Sequence, residues 1–298
     1  MSSLIEQAAQ RLEQLRQAGA EMPAAPVVQT IGAAQEPVNE PHSAFLSRRV
    51  EIDLEALAAA GIVSPYAPRS QIADQFRVIK RPLIRNAMGK GASSIAHGNL
   101  IMVTSALAGE GKTFTAINLA MSMTTELDYT VMLVDADVPR PSVMKVLGLP
   151  EGPGLLDLVI GESGDMSSML LKTNIDKLTI LPIGTPHARA TELLASDAMV
   201  RLLDEMANRY PDRIIIFDSP PLLLTTEARV LASHMGQVVV VVQAGRTLQS
   251  EVRQALATIE ACPVKLLLLN QARTGSKGGY GYGYGYGYGY GSGEQQQA

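Results

Sequence analysis

Three short stretches carry the residue types that handle phosphate. In Ala106-Leu107-Ala108-Gly109-Glu110-Gly111-Lys112-Thr113, two glycines precede a lysine and a hydroxyl. Glycines let backbone N–H groups crowd onto an anion, and a helix starting at the lysine aims further N–H groups at the same place. Ala108, Gly109, Glu110, Gly111, Lys112, Thr113 and Phe114 are therefore the candidate nucleotide-phosphate contacts. Lys112 would reach the terminal phosphates, and the Thr113 hydroxyl would bind Mg2+. Ala106 stands where the pattern GxxxxGK(S/T) begins with glycine, and a side chain this small keeps the turn. The other two stretches are apolar runs that end in carboxylates: Val131-Met132-Leu133-Val134-Asp135-Ala136-Asp137, and Ile214-Ile215-Ile216-Phe217-Asp218. A lone strand-end aspartate is most simply a turn or helix cap. Three of them beside a phosphate loop point to Mg2+ and phosphoryl chemistry.

Such a site needs a frame. Apolar runs at 99–104, 130–135, 178–182, 213–217, 237–243 and 264–269 read as buried strands, and helical patterns at 112–127, 190–209, 225–234 and 247–261 separate them. Near-continuous Val, Ile and Leu strands alternating with helices predict a doubly wound, mostly parallel α/β sheet covered on both faces. Ligands of such sheets bind beyond the carboxyl ends of the strands, where all three carboxylates fall. Asn270, after the last strand, is open to two readings, an adenine contact or a strand-end turn residue.

Four regions are expected. Residues 1–47 hold an amphipathic helix at 2–18, with Leu4, Ile5, Ala8, Leu12 and Leu15 on one stripe, then an Ala/Pro/Gln linker. Residues 48–97 are helical, with an interruption expected near Pro82. Within them, 69–90 set Arg69, Arg77, Lys80, Arg81, Arg85 and Lys90 against Asp74 alone. This basic stretch reads either as a solvated face or as an interface for a carboxylate-bearing neighbour. The α/β domain follows at 98–273. The tail, 274–298, alternates Gly and Tyr from Gly279 to Gly291 and has little to bury, which predicts disorder.

Composition narrows the function. With 46% hydrophobic and 18% charged residues the chain is not wholly disordered. Twenty-five Lys and Arg against 29 Asp and Glu give a net charge of −4, which offers no bulk attraction to nucleic acid. Cys262 as the single cysteine excludes an internal disulfide framework and argues against an iron–sulfur site. The apolar runs are shorter than the ~20 residues of a spanning helix, and the first residues do not form a signal peptide. The protein is expected in the cytoplasm, reaching a membrane only through a partner or a surface helix.

Taken together, the motifs resemble those of the bacterial tyrosine autokinases (BY-kinases), in particular the stand-alone cytoplasmic kinases of exopolysaccharide and exosortase systems. Residues 105–113 match Walker A, Leu133-Val134-Asp135-Ala136-Asp137-Val138-Pro139-Arg140-Pro141 matches Walker A′, Ile216-Phe217-Asp218-Ser219-Pro220-Pro221 matches Walker B, and the clustered tyrosines complete the likeness over about 50–298. The resemblance implies a P-loop fold of the Min/Par-like type, ATP and Mg2+, and Lys112, Asp135, Asp137, Asp218 and Arg140 as catalytic residues. It makes Asp135 the base or orienter for an incoming tyrosine and Thr113, Asp135 and Asp218 the metal contacts. Tyr280, Tyr282, Tyr284, Tyr286, Tyr288 and Tyr290 become the phosphoacceptors, reached in trans within a homo-oligomer that can close into a ring. Asp74, Arg77 and Lys80 stand at the family's oligomerisation motif, with Lys in place of its second Arg. A membrane-bound polysaccharide co-polymerase or activator and a tyrosine phosphatase are the implied partners. The alternatives are a Min/Par-type positioning ATPase and a non-enzymatic protein associating through its tyrosines. The positioning ATPases carry an early P-loop lysine that Ala106-Leu107-Ala108 lacks, and they have no use for six clustered tyrosines.

Overall fold

In the computed structural model the described residues are 48–272, apart from 68, 92–93, 162–165 and 210–211. The amphipathic helix at 2–18, the linker and the Gly-Tyr tail lie outside them.

Seven strands form one sheet: β1 (Leu100–Ser105), β2 (Thr130–Asp135), β3 (Leu171–Lys172), β4 (Leu178–Leu181), β5 (Arg213–Asp218), β6 (Gln237–Gln243) and β7 (Val264–Asn270). Their order is β3-β4-β2-β5-β1-β6-β7, and every pairing is parallel except β3 with β4. Strand β1 is buried along its whole length because it lies between β5 and β6 under helices on both faces. Alternate side chains feed two cores, Leu100, Met102, Val238 and Val240 on one side and Ile101, Val103, Val239 and Val241 on the other.

The second core is closed by the first two helices, α1 (Leu54–Ala59) and α2 (Gln71–Ala87). Leu57, Phe76, Leu83 and Ile84 pack there with Ile117 and Leu119 of α3 (Lys112–Met123). Helix α2 runs unbroken through Pro82, against expectation. The carbonyl that loses its donor is that of Val78, whose side chain is 73% exposed, so the gap falls on the wet side of the helix.

Between β2 and β5 the chain forms α4 (Val143–Val146), α5 (Leu155–Ile160), α6 (Met166–Met169), α7 (Ala190–Leu194) and α8 (Asp197–Arg209). The helix expected at 190–209 is thus two. Ser196 divides them, its hydroxyl donating to the Leu193 carbonyl at 2.7 Å and accepting from the Met199 N–H at 3.2 Å. Helices α9 (Glu227–Ser233) and α10 (Gln249–Ala257) complete the cover. Edge strand β7 alternates half-buried and exposed residues, leaving Leu267 and Leu269 in contact with solvent.

Candidate active site

The three carboxylates meet because β2 and β5 are paired in a register that sets Asp135 beside Asp218. The phosphate loop leaves the neighbouring strand β1. Two backbone bonds tie it to the chain beyond Asp218, from Leu222 N–H to the Ser105 carbonyl at 2.8 Å and from Leu223 N–H to the Ala106 carbonyl at 3.2 Å. Ala106 is fully buried without a left-handed backbone, so a methyl group fits where the motif usually has glycine. Gly109 and Gly111 do turn left-handed, at φ 86° and 94°. Gly111 is also crowded, since a Cβ there would lie 2.2 Å from the Asn270 side-chain nitrogen.

Lys112 ion-pairs with Asp137. The Thr113 hydroxyl lies 2.9 Å from that of Ser142, at the start of α4. Ser142 and Val143 both donate backbone N–H groups to Asp135 Oδ2 at 3.0 Å, and Asp137 donates to Oδ1 at 3.2 Å. Asp135 thereby holds the loop after β2 in shape. Burial raises its pKa to about 6 against the pull of those N–H groups. Asp218 is more exposed to the cost of burial. Both its carboxylate oxygens are buried without a hydrogen-bond partner. Burial pushes its pKa up to about 7, and the nearby Lys112 charge and Thr113 hydroxyl offset only part of that.

A cleft of about 430 Å3 opens beside these groups, lined by Ala108, Gly109, Lys112, Asp137, Arg140 and Ser142, among others. Arg140 is exposed at its rim. Phe114 does not line it, because its side chain packs with the core beneath α2. The Glu110 side chain also turns away from the cleft. It is 2% exposed, accepts the Leu107 N–H at 2.7 Å and takes a second bond from Thr247. Asn270, read as either an adenine contact or a turn residue, donates its side-chain N–H to the Glu110 carbonyl at 2.9 Å. Gln271, at φ 57°, donates to the Gly109 carbonyl at 3.3 Å. Sequence reasoning missed Ser142, Thr247 and Gln271. Only Ser142, opening a helix seven residues after Asp135, left a local trace.

Among the described residues no cluster of three or more His, Cys, Asp or Glu side chains could hold a metal ion alone. The arrangement does fit a cation shared with a polyphosphate. A buried carboxylate without a partner faces a hydroxyl and a lysine at the start of a helix, beside a loop whose glycines leave room for phosphate.

One expected interface residue belongs to the interior. Lys80 is 2% exposed, and its Nζ ion-pairs with Glu126 at 2.8 Å, donates to Thr125 Oγ1 at 2.8 Å and bonds the Ser122 carbonyl. Burial lowers its pKa, with Glu126 opposing. Lys80 fastens α2 to the end of α3 within one chain and is not presented to a second. Asp74 and Arg77 are exposed and pair with each other.

Residues 98–269 match the family AAA_31, described as an AAA domain. The chain is 31% identical over 190 residues to the tyrosine-protein kinase CpsD of Streptococcus agalactiae, covering 61% of this chain and 81% of that one. It is 29% identical over 206 residues to the tyrosine-protein kinase YwqD of Bacillus subtilis, covering 69% and 83%. Other matched relatives are longer, and the chain spans about a quarter of their length. The crystal structure of the chimerical protein CapA2B2 superposes with a TM-score of 0.59 at 27% identity, over 74% of this chain and 93% of that one. No helix among the described residues is long and apolar enough to cross a membrane. The AAA-domain match over more than half the chain, the coverage of CpsD, and a P-loop facing strand-end aspartates place this protein in the bacterial tyrosine-protein kinase family.

Proposed function

We propose that this chain is an autokinase that phosphorylates its own C-terminal tyrosines, Tyr280, Tyr282, Tyr284, Tyr286, Tyr288 and Tyr290, in trans within a homo-oligomer. The observation that carries the reading is the buried, partnerless Asp218 carboxylate beside Thr113 and Lys112. Mg2+-bound ATP supplies the γ-phosphoryl group and neutralises charge on it. Gly109 to Thr113 hold the phosphates, Thr113 and Asp218 face the cation, and Lys112 moves from Asp137 to the terminal phosphates. Freed of the lysine, Asp137 lies at the cleft wall, in place to accept the phenolic proton. Asp135 keeps the loop carrying Asp137 and Ser142 in position. Tyrosine's ordinary pKa is about 10, so its hydroxyl arrives protonated. With a loose transition state, alignment and charge neutralisation outweigh early deprotonation.

The Gly spacers let each tyrosine enter a recessed cleft, and twelve extended residues reach up to about 40 Å, far enough for a neighbouring subunit. Six phosphotyrosines add roughly −9 to −12 charge, which repels tails from neighbouring sites and lowers the oligomeric state. The setting we infer is the cytoplasmic face of a membrane, alongside a polysaccharide co-polymerase or activator and opposed by a tyrosine phosphatase, in control of exopolysaccharide synthesis or export.

Intact mass after incubation with Mg-ATP tests the reading. Phosphate increments on the wild type, absent from Lys112→Met and from a variant with all six tail tyrosines changed to Phe, are expected. ATP turnover without phosphotyrosine, even with activator segments added, would overturn it.

A further inference from the structure

The far end of α2 carries a cluster of cationic side chains around a cleft. A cleft of about 410 Å3 lies among Arg81, Arg85, Lys90, Ile84, Met88 and Tyr129. Arg81 shares Glu126 with Lys80, at 3.4 Å. Arg85 and Lys90 have no ion-pair partner among the described residues, on a chain whose net charge is −4. Arginine forks select phosphate oxygens, and the apolar walls with the Tyr129 ring suit an aromatic ring rather than a bare anion.

Resting on the autokinase reading, we propose that phosphotyrosine of the Gly-Tyr tail docks in this cleft within the same chain. Three observations converge on that occupant. Gln271 and Ala272, where the tail departs, share a groove with Ile72, Gln75 and Phe76 near the start of α2. The 17 residues of α2 span about 25 Å. The eight residues from Ala272 to Tyr280 extend about 26–29 Å, and the eighteen to Tyr290 about 59–65 Å, so each tyrosine can travel the length of the helix. The tail is uncharged from Gly278 to Gly293, so it gains attraction for three cations only on phosphorylation. Docked there, it lies along the helix that also exposes Asp74 and Arg77. Phosphorylation then does more than repel tails, because a docked tail also covers the exposed Asp74–Arg77 face that the autokinase reading assigns to association.

The test uses the full chain with its six tail tyrosines changed to Phe, saturated with Mg-ADP so that the P-loop does not compete. Fluorescein-labelled Gly-Tyr-Gly-pTyr-Gly-Tyr-Gly and its unphosphorylated twin are titrated by anisotropy. The phosphopeptide is expected to bind on the order of tenfold more tightly, and the double variant Arg85→Ala/Lys90→Ala to lose about that factor. Its melting temperature and ADP affinity should stay unchanged. Equal binding of the two peptides, or indifference to the double variant, would overturn the proposal. Loss of binding to phosphatidylserine vesicles in the double variant, without preference for the phosphopeptide, would assign the cleft to a membrane surface and overturn it as well. In a second arm, light scattering follows both proteins with native tails after Mg-ATP. The wild type should fall further in mass than Arg85→Ala/Lys90→Ala at equal phosphate content, and equal dispersal of both would refute docking in cis. The peptide is synthesised with its phosphate, so the first arm reads independently of self-phosphorylation, which intact mass reports separately.

Discussion

Replacing Asp218 by Asn should make the ligand-free protein more stable while abolishing kinase activity. A carboxyl that titrates at about 7 in the fold, against an ordinary value of 3.8, binds its proton more tightly folded than unfolded. Stability from this group is therefore present at low pH and lost as pH rises from about 4 to about 7. Above that range its ionised form costs about 4 kcal/mol, an order of magnitude set by the buried, partnerless oxygens. Asparagine removes the charge but leaves an unsatisfied amide in the same place, at about 1–3 kcal/mol. The net gain at pH 8 is about 1–3 kcal/mol, and at pH 5 the advantage shrinks by about 3 kcal/mol because the folded wild type is already protonated there. Urea denaturation of ligand-free wild type and Asp218→Asn at both pH values measures this, and Mg-ADP should narrow the gap at pH 8 by stabilising the wild-type carboxylate. A variant less stable than wild type at pH 8, or a difference independent of pH, would refute the reasoning.

Other consequences can be checked the same way. Glu126→Ala strands the buried Lys80 cation and should cost about 2–4 kcal/mol, whereas Lys80→Met keeps the packed stem, removes the charge and should cost about 0–2 kcal/mol in denaturant titrations. If Lys80→Met instead leaves stability unchanged and lowers the mass of the proposed homo-oligomer, the interior role of Lys80 is wrong. Asp135→Asn can keep its amide oxygen on the N–H groups of Ser142 and Val143 but sets its NH2 against the Asp137 N–H, so hydrogen exchange should quicken at Asp137. Loss of a charge that burial already disfavours holds the net cost to about 0–2 kcal/mol. Gly111→Ala meets both a left-handed backbone and the Asn270 side chain, and should lose about 2–3 kcal/mol and bind ATP analogues more weakly. Adding Asn270→Ala should return the steric part of that loss, as a double-mutant cycle would show.

The phosphate loop and the strand-end aspartates could be read from sequence because their geometry is local. A glycine turn between strand and helix, or a carboxylate ending an apolar run, needs no distant partner to define its place. The fate of Lys80 is not local. Its spacing from Asp74 and Arg77 matches a surface motif, yet Glu126, far along the chain, draws it inside. The bond of Asn270 to the Glu110 carbonyl, 160 residues away, is equally non-local. The break at Ser196 depends on one hydroxyl competing for backbone groups, and the two-residue β3 exists only because β4 lies beside it. Strands buried on both faces were plain from their Val/Ile/Leu runs, while the exposed leucines of β7 depend on its place at the sheet edge.

The bonds from Asn270 and Gln271 to the P-loop carbonyls also make this chain a mechanical element. Asn270 ends β7 and Gln271 follows it, so tension on the tail loads the Gln271 bond first and the Asn270 bond together with the sheet edge. A tail held at its far end and pulled taut would tug on the Gly109 and Glu110 carbonyls, at the turn that cups the phosphates. Nucleotide grip and tail tension would then be linked in both directions, and an optical trap holding the tail should register nucleotide binding as a change in the force at which its first residues peel away.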